Sequence, residues 1–345
     1  MRDFLGAFRK RANDGGGANE YERRIEQQKL QYANKEKLKK LPDIYRYWSR
    51  TYLQPKLEDV FGRRSIYDIY SEAFIGACQA TGSGRKILSI GCGDGQIEVA
   101  IAENILKTDF RDFKFLATEL ADVRMERAKK LVHEKKLEDY FDFKIVDVNE
   151  WEPNETFAGI MAQHTLHHIV ELEKLFAFIN RNMEPEGVFP IVDIIGRNGH
   201  MRWPETLEIM NRLWSILPQK YKFNHQFNKT IDPYLNHDCS KTGFEGIRAE
   251  DILPLLCDNF SFTHFVGVGG FEDVFVERGY GHNFDPENET DRAWIDTIAV
   301  MNDAMLETGA VKPTMIFAVA KKKNSAIVTR THRGLSPENA IRKPD

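Results

Sequence analysis

Lys86-Ile87-Leu88-Ser89-Ile90-Gly91-Cys92-Gly93-Asp94-Gly95-Gln96 is the stretch on which the fold turns. Its first five residues form a short, mostly apolar run, which reads as a buried strand, and three glycines then fall within five positions, which reads as a tight turn. From Gln96 to Leu106 the period changes: Ile97, Ala100, Ile101 and Ile105 share one helical face. A strand that ends in a glycine-rich turn and opens a helix is a generic nucleotide cradle. Glycines let the backbone approach a ligand, and the first turn of a helix offers unpaired N–H groups.

Downstream, the same alternation repeats, as βαβ units around a parallel sheet require. Phe113 to Thr118 reads as a second strand, followed by a helix from Ala121 to Lys136 that turns Met125, Ala128, Leu131 and Val132 inward. Phe141 to Val146 is a third strand, Phe157 to Gln163 a fourth, Glu171 to Met183 a helix and Gly187 to Ile195 a fifth strand. The alternation then stops. Residues 196–312 are rich in aromatics, Pro, Asn and His, and read as an insertion with helices at Glu205–Leu217, Ala249–Phe260 and Asp291–Thr308 and one further strand at Phe262–Val268. A last core strand lies within 313–323, and the basic, aperiodic tail 324–345 reads as disordered. Upstream, residues 1–40 read as a flexible leader running into a solvated, charged helix, and 41–84 as a helical lid opening on the aromatic-dense segment Tyr45, Tyr47, Trp48 and Tyr52.

Three details narrow the cradle in the core, residues 85–195. A dinucleotide fingerprint G-x-G-x-x-G wants glycine at position 96, where this chain has Gln96. Asp94 inside the turn would repel a pyrophosphate but suits a cationic, phosphate-free nucleoside. Glu119 closes the second strand, where two carboxylate oxygens can accept from both ribose hydroxyls, and Asp147-Val148 follows the third, offering an acceptor for an adenine amino group and an apolar neighbour for its ring. With these motifs at three successive strand ends, the chain resembles the class I S-adenosylmethionine-dependent methyltransferases. The resemblance implies an α/β, Rossmann-like sheet of seven strands with helices on both faces and the last strand antiparallel. It places S-adenosyl-L-methionine over the carboxyl ends of strands one to three, held by Gly91, Cys92, Gly93, Gly95, Glu119, Asp147 and Val148, with Gln163 and His164 at the end of strand four.

Methyl transfer is an in-line displacement at an already electrophilic carbon, so the protein aligns donor and acceptor, excludes water and removes a proton where the acceptor is a hydroxyl. Strand four runs into Gln163-His164-Thr165-Leu166-His167-His168-Ile169. Histidine suits proton removal because its ordinary pKa lies near working pH. Leu166-His167-His168-Ile169, with Asp193 on strand five, is similar to the arrangement in natural-product sugar O-methyltransferases, which implies His168 or His167 as base and Asp193 orienting the base or the acceptor. The H-x-x-H-H spacing lacks a carboxylate nearby in sequence and lies in a loop, so no metal site is read from it. Acceptor recognition falls to the insertion and the aromatic segment. Tyr45, Tyr47, Trp48 and Tyr52 either roof the site or form a core-facing stripe. Trp203, His237 within Asn236-His237-Asp238-Cys239, the run Gly243 to Arg248 and the run Arg278 to His282 are polar–aromatic clusters of the kind that functional loops carry.

A formal net charge of −4 with 29% charged and 42% hydrophobic residues argues against general nucleic-acid affinity, and the partner expected is a small molecule. No apolar run approaches a membrane span, and four widely spaced cysteines form neither a zinc ribbon nor a disulfide framework, so a cytoplasmic monomer or homodimer is expected. The alternative activity is a non-methylating use of the same cofactor, such as its intramolecular cyclisation with release of methylthioadenosine.

Overall fold

The computed structural model describes residues 17–33, 40–81, 85–151, 153–241, 243–324 and 326–343. Of the leader and helix expected over 1–40, residues 1–16 and 34–39 lie outside them. Helix α1 (Gly17–Ala33) is followed by α2 (Asp43–Trp48), a π-helical turn (Ser49–Leu53), α3 (Gln54–Phe61) and α4 (Ile66–Ala80). The core alternates β1 (Lys86–Ile90), α5 (Gln96–Leu106), β2 (Lys114–Glu119), α6 (Asp122–Glu134), β3 (Phe141–Ile145), β4 (Phe157–Gln163), α7 (Leu172–Asn182) and β5 (Met183–Ile194). The later part contributes α8 (Pro204–Ile216), a short hairpin of β6 (Phe223–Asn224) and β7 (Lys229–Thr230), α9 (Ala249–Asn259), β8 (Phe260–Val268), α10 (Asp273–Val276), α11 (Glu289–Glu307), β9 (Met315–Lys322), β10 (Arg330–Thr331) and α12 (Pro337–Ala340).

The main sheet has eight strands rather than seven, in the order β10-β8-β9-β5-β4-β1-β2-β3. β9 runs antiparallel to β5 and β8, and the other pairings are parallel. The eighth strand, β10, comes from the tail expected to be disordered. It pairs Arg330 with His264 and Thr331 with Phe265 along β8, whose outer edge would otherwise present unpaired N–H and C=O groups. Beyond it α12 buries Pro337 and Ala340. A two-residue edge strand has no period to read, which is why the sequence conceals it.

Central strand β4 is buried from Phe157 to Ala162, as expected of a parallel strand covered on both faces. One face packs on α3, α4, α5 and α6 through Leu57, Phe74, Ile101 and Met125; the other on α7 and α9 through Phe176, Ile179, Ile252 and Leu256. Residues 41–81 are therefore largely core. Ile44, Val60, Phe74 and Cys78 are fully buried, and Phe74 lies so close over Gly159 that a Cβ there would strike its ring. Among the described residues no helix is long and apolar enough to cross a membrane.

Candidate active site

Because β1 to β5 run parallel, their carboxyl ends and the loops that follow converge on one rim of the sheet. There the turn after β1 is tied down by backbone: Cys92 N donates to Thr118 O at 2.8 Å, and Gly93 N donates to Glu119 Oε2 at 2.9 Å. Gly95, the N-cap of α5, has φ of 75°, and a Cβ there would sit 2.9 Å from Ala128 Cβ, so both backbone and packing demand glycine. Glu119 Oε1 accepts from Leu120 N and Ala121 N at 2.9 and 3.0 Å. A carboxylate offers about four acceptor sites. Three are used by the backbone, which leaves room for one ribose hydroxyl rather than two. Asp147 Oδ1 accepts from the Asn149 backbone N–H and side-chain amide, and Oδ2 accepts from Tyr21 Oη at 2.7 Å. Burial and the Asp147 carboxylate push the Tyr21 phenol well up, so it remains a donor. Asp94 lies 3.6 Å from Arg124 and 3.7 Å from Arg127, so α6 offsets the charge expected to face a cationic ligand.

A cavity of about 920 Å³ opens on this rim, lined by Gly91, Cys92, Gly93, Glu119, Asp147, Val148, Gln163 and His164. Gly95 is not among its lining residues; it shapes the turn from behind. The glycine turn, an acceptor on Glu119, and Val148 beside Asp147 fit a phosphate-free nucleoside. Burial pushes the Cys92 thiol up, so it is a packed thiol and not a thiolate. A second cavity of about 740 Å³ adjoins the first, built from the insertion and the ends of β5 and β9. Gln28, His168, Phe244 and Arg278 line both. His168 therefore stands where the two spaces meet.

The histidines after β4 fall into distinct environments. His164, at φ 51°, lines the first cavity, and burial lowers its pKa. His167 is buried, with Nδ1 2.6 Å from Asp193 Oδ1. Asp193 also accepts from Thr165 N and Leu166 N at 2.7 Å, so one fully buried carboxylate sets the whole turn. Burial alone would lower His167, but the Asp193 and Glu245 carboxylates outweigh it and raise the imidazole. His168 is lowered to about 3, first by burial and then by the charge of His167. Its Nδ1 lies 3.4 Å from Gln28 Nε2 and its Nε2 3.6 Å from Glu245 Oε2.

The aromatic segment is divided by the structure. Tyr45 lines the first cavity. Tyr47 and Tyr52 turn away and both donate to Asp296 on α11, and Trp48 is buried with Nε1 donating to Glu272. Trp203 stacks under Arg342, 5.0 Å from the ring centroid, and lines neither cavity. His237 lines the second cavity against Phe227. The roof is supplied instead by α1, the charged helix expected to be solvated. Tyr21 reaches Asp147, buried Arg24 donates to Ser240 O and Gly243 O, Ile25 lines the first cavity and Gln28 meets His168. Positions 21, 24, 25 and 28 share one helical face. That period was the available signal, hidden by the many charges around it. His200, Glu245 and Arg278 also reach the site from loops without any regular pattern.

A family model described as "Methyltransferase domain" matches residues 59–248. No curated protein matches the chain. Among solved structures, the chain is similar to the StiE O-methyltransferase region 961–1257, at 12% identity over 70% of this chain and 68% of that one, with a TM-score of 0.40. It is similar to the O-methyltransferase of a trans-AT PKS multienzyme of Brevibacillus brevis in complex with S-adenosyl-L-homocysteine, at 14% identity over 74% of each chain, with a TM-score of 0.39. A [4+2]-cyclase, SpnF, is similar at 14% identity over 81% of this chain and 95% of that one, with a TM-score of 0.39. The family match spans more than half of the chain, over the glycine turn, Glu119, Asp147 and the histidines after β4. The chain belongs to the methyltransferase-domain family, the class I methyltransferases that use S-adenosylmethionine.

Proposed function

We propose that the chain transfers a methyl group to an oxygen or nitrogen of a small-molecule acceptor seated in the second cavity, where His168, neutral because burial and the charge of His167 lower it, binds and orients that acceptor by hydrogen bonding. The observation that carries this reading is the meeting of the two cavities at His168. S-adenosylmethionine, when bound, supplies an electrophilic methyl carbon. Asp147 and Val148 would hold the adenine, the remaining acceptor site of Glu119 one ribose hydroxyl, and Gly91, Cys92, Gly93, Gln163 and His164 the walls around the rest. The Gln28 amide donates to Nδ1 of His168 at 3.4 Å, which leaves Nε2 as the N–H turned toward Glu245 and the second cavity. Asp193 fixes His167, and through the shared turn it fixes the position of His168. Helix α1 covers both cavities and excludes water, which strengthens every polar contact beneath it.

Cyclisation of the cofactor needs no second cavity, and this favours the acceptor reading. The test is product analysis with a panel of hydroxyl and amine acceptors. S-adenosylhomocysteine with a methylated acceptor is expected, and methylthioadenosine alone would refute methyl transfer. His168→Ala should raise the acceptor's KM by roughly 2- to 12-fold, the loss of one hydrogen bond of about 0.5–1.5 kcal/mol, with S-adenosylhomocysteine affinity kept. An unchanged KM would move that role to another residue.

A further inference from the structure

We propose that His167, His200 and Glu245 form a binding site for one divalent first-row transition cation at the wall of the second cavity. Each offers one ligand atom, and the three atoms lie within 4.8 Å of one another. His167 Nε2 is 3.4 Å from Glu245 Oε1, and His200 Nε2 is 2.7 Å from the same oxygen. For metal–ligand bonds near 2.0–2.1 Å, tetrahedral ligand atoms stand about 3.3 Å apart, so only small side-chain adjustments separate this cluster from a bound geometry. Two imidazoles and one carboxylate select zinc, cobalt, manganese or iron(II) over magnesium, which prefers an all-oxygen shell.

The three residues come from three separate segments, and backbone bonds next to each ligand hold those segments together. Gly199 N donates to Gly246 O at 2.9 Å, and Ile247 N donates to His167 O at 3.1 Å. Arg248 anchors the loop bearing Glu245 to α7 through two contacts with Glu173, at 2.6 and 2.7 Å. His200 adopts φ of 58°, a left-handed conformation that costs free energy for any residue with a Cβ and that aims its ring at Glu245. His200 Nδ1 has no hydrogen-bond partner among the described residues, so no bond there opposes settling onto a cation. His167 already carries the outer partner that ligating histidines use. Fully buried Asp193 holds Nδ1 at 2.6 Å, which leaves Nε2 as the ligand atom. The sequence offers no carboxylate near the H-x-x-H-H motif because Glu245 arrives from the insertion.

His200 and Glu245 line the second cavity, so the remaining coordination positions open onto it. An acceptor bearing an oxygen or nitrogen donor, above all one with two adjacent oxygens, would fill them and be held beside His168. That role rests on the methyl-transfer reading; the cation site rests on the side-chain geometry alone.

The test uses full-length protein freed of metal by a chelator and titrated with Co²⁺ by visible absorption and with Zn²⁺ by calorimetry, without S-adenosylmethionine. One equivalent of each is expected, with the ligand-field bands of nitrogen–oxygen coordination. Glu245→Gln and His200→Asn, the latter at home at positive φ, should each weaken binding by more than about 100-fold, beyond the 10–100-fold of an outer-shell partner. His133→Ala, which removes an exposed histidine, should leave it unchanged. Absence of saturable binding, or binding that survives both cluster substitutions, overturns the proposal. Circular dichroism of each variant separates lost ligation from lost folding, and should one variant fail to fold, the other and the native titration decide. Cation binding without any methylated product would leave the site standing and remove the methyl-transfer reading; methyl transfer without cation binding would do the reverse.

Discussion

Replacing Glu119 with glutamine changes a handful of atoms at the point where β2, the glycine turn and the start of α6 meet. The native carboxylate accepts from Gly93 N, Leu120 N and Ala121 N at 2.9–3.0 Å and is 5% exposed. In the best rotamer of the glutamine, its oxygen stays on the Leu120 and Ala121 pair and its NH₂ faces the Gly93 N–H, donor against donor. One hydrogen bond to a charged group is lost, worth about 1.5–3 kcal/mol, and the other two lose their charge assistance. The turn that should cradle the cofactor is released from the strand that should hold its ribose. Since 1.4 kcal/mol is tenfold in affinity, S-adenosylhomocysteine should bind roughly 10- to 150-fold more weakly. Calorimetry on native protein, Glu119→Gln and Glu119→Ala at one ionic strength measures this, with urea unfolding of each without ligand. If Glu119→Gln lowers the urea midpoint but leaves affinity within twofold of native, Glu119 is only a pin for the turn, and the proposed cofactor geometry is refuted.

Gly95→Ala should destabilise by about 2–5 kcal/mol, from a left-handed backbone and overpacking against Ala128, read as a lower urea midpoint at unchanged slope; an unchanged midpoint would refute the close-approach argument. Tyr21→Phe removes the hydroxyl that reaches Asp147 and Asn149, so trypsin should cut α1 at Arg23, Arg24 or Lys29 faster than in native protein, and equal resistance would mean that α1 is held by other contacts. Burial raises the Glu272 carboxyl from 4.5 to about 8. A raised acid stabilises the fold below its unfolded pKa, and that contribution is lost as pH climbs through about 8. At about 1.4 kcal/mol per unit, native protein should lose a few kcal/mol between pH 5 and pH 9, and Glu272→Gln should flatten that loss; parallel stability–pH curves would refute it.

The strand–turn–helix at 86–106 and the four strands after it were legible because each is a local pattern: an apolar run bounded by breakers, or a stripe at helical period. Parallel topology then placed Gly91, Glu119, Asp147, Gln163 and His167 near one another without any knowledge of contacts, since parallel strands all end on the same rim. Periodicity reports that a face is buried and not what it is buried against. The segment 45–52 illustrates this: its aromatics were visible, but whether they faced ligand or core depended on Asp296 and Glu272, far along the chain. The charges of α1 suggested solvent, yet Arg24 finds two carbonyl acceptors in the insertion and is buried there.

By itself, then, the sequence determined the order of the core elements, the rim that carries the proposed cofactor site and the histidine turn beside it, because short-range sterics and strand–helix alternation act between neighbours in the chain. Only the tertiary structure decided what stands opposite: Tyr21 on Asp147, Gln28 on His168, Glu245 between His167 and His200, and β10 on the sheet edge. Each of these pairs joins residues from distant segments whose loops carry no period, and their approach is fixed by packing of the whole sheet and its helices.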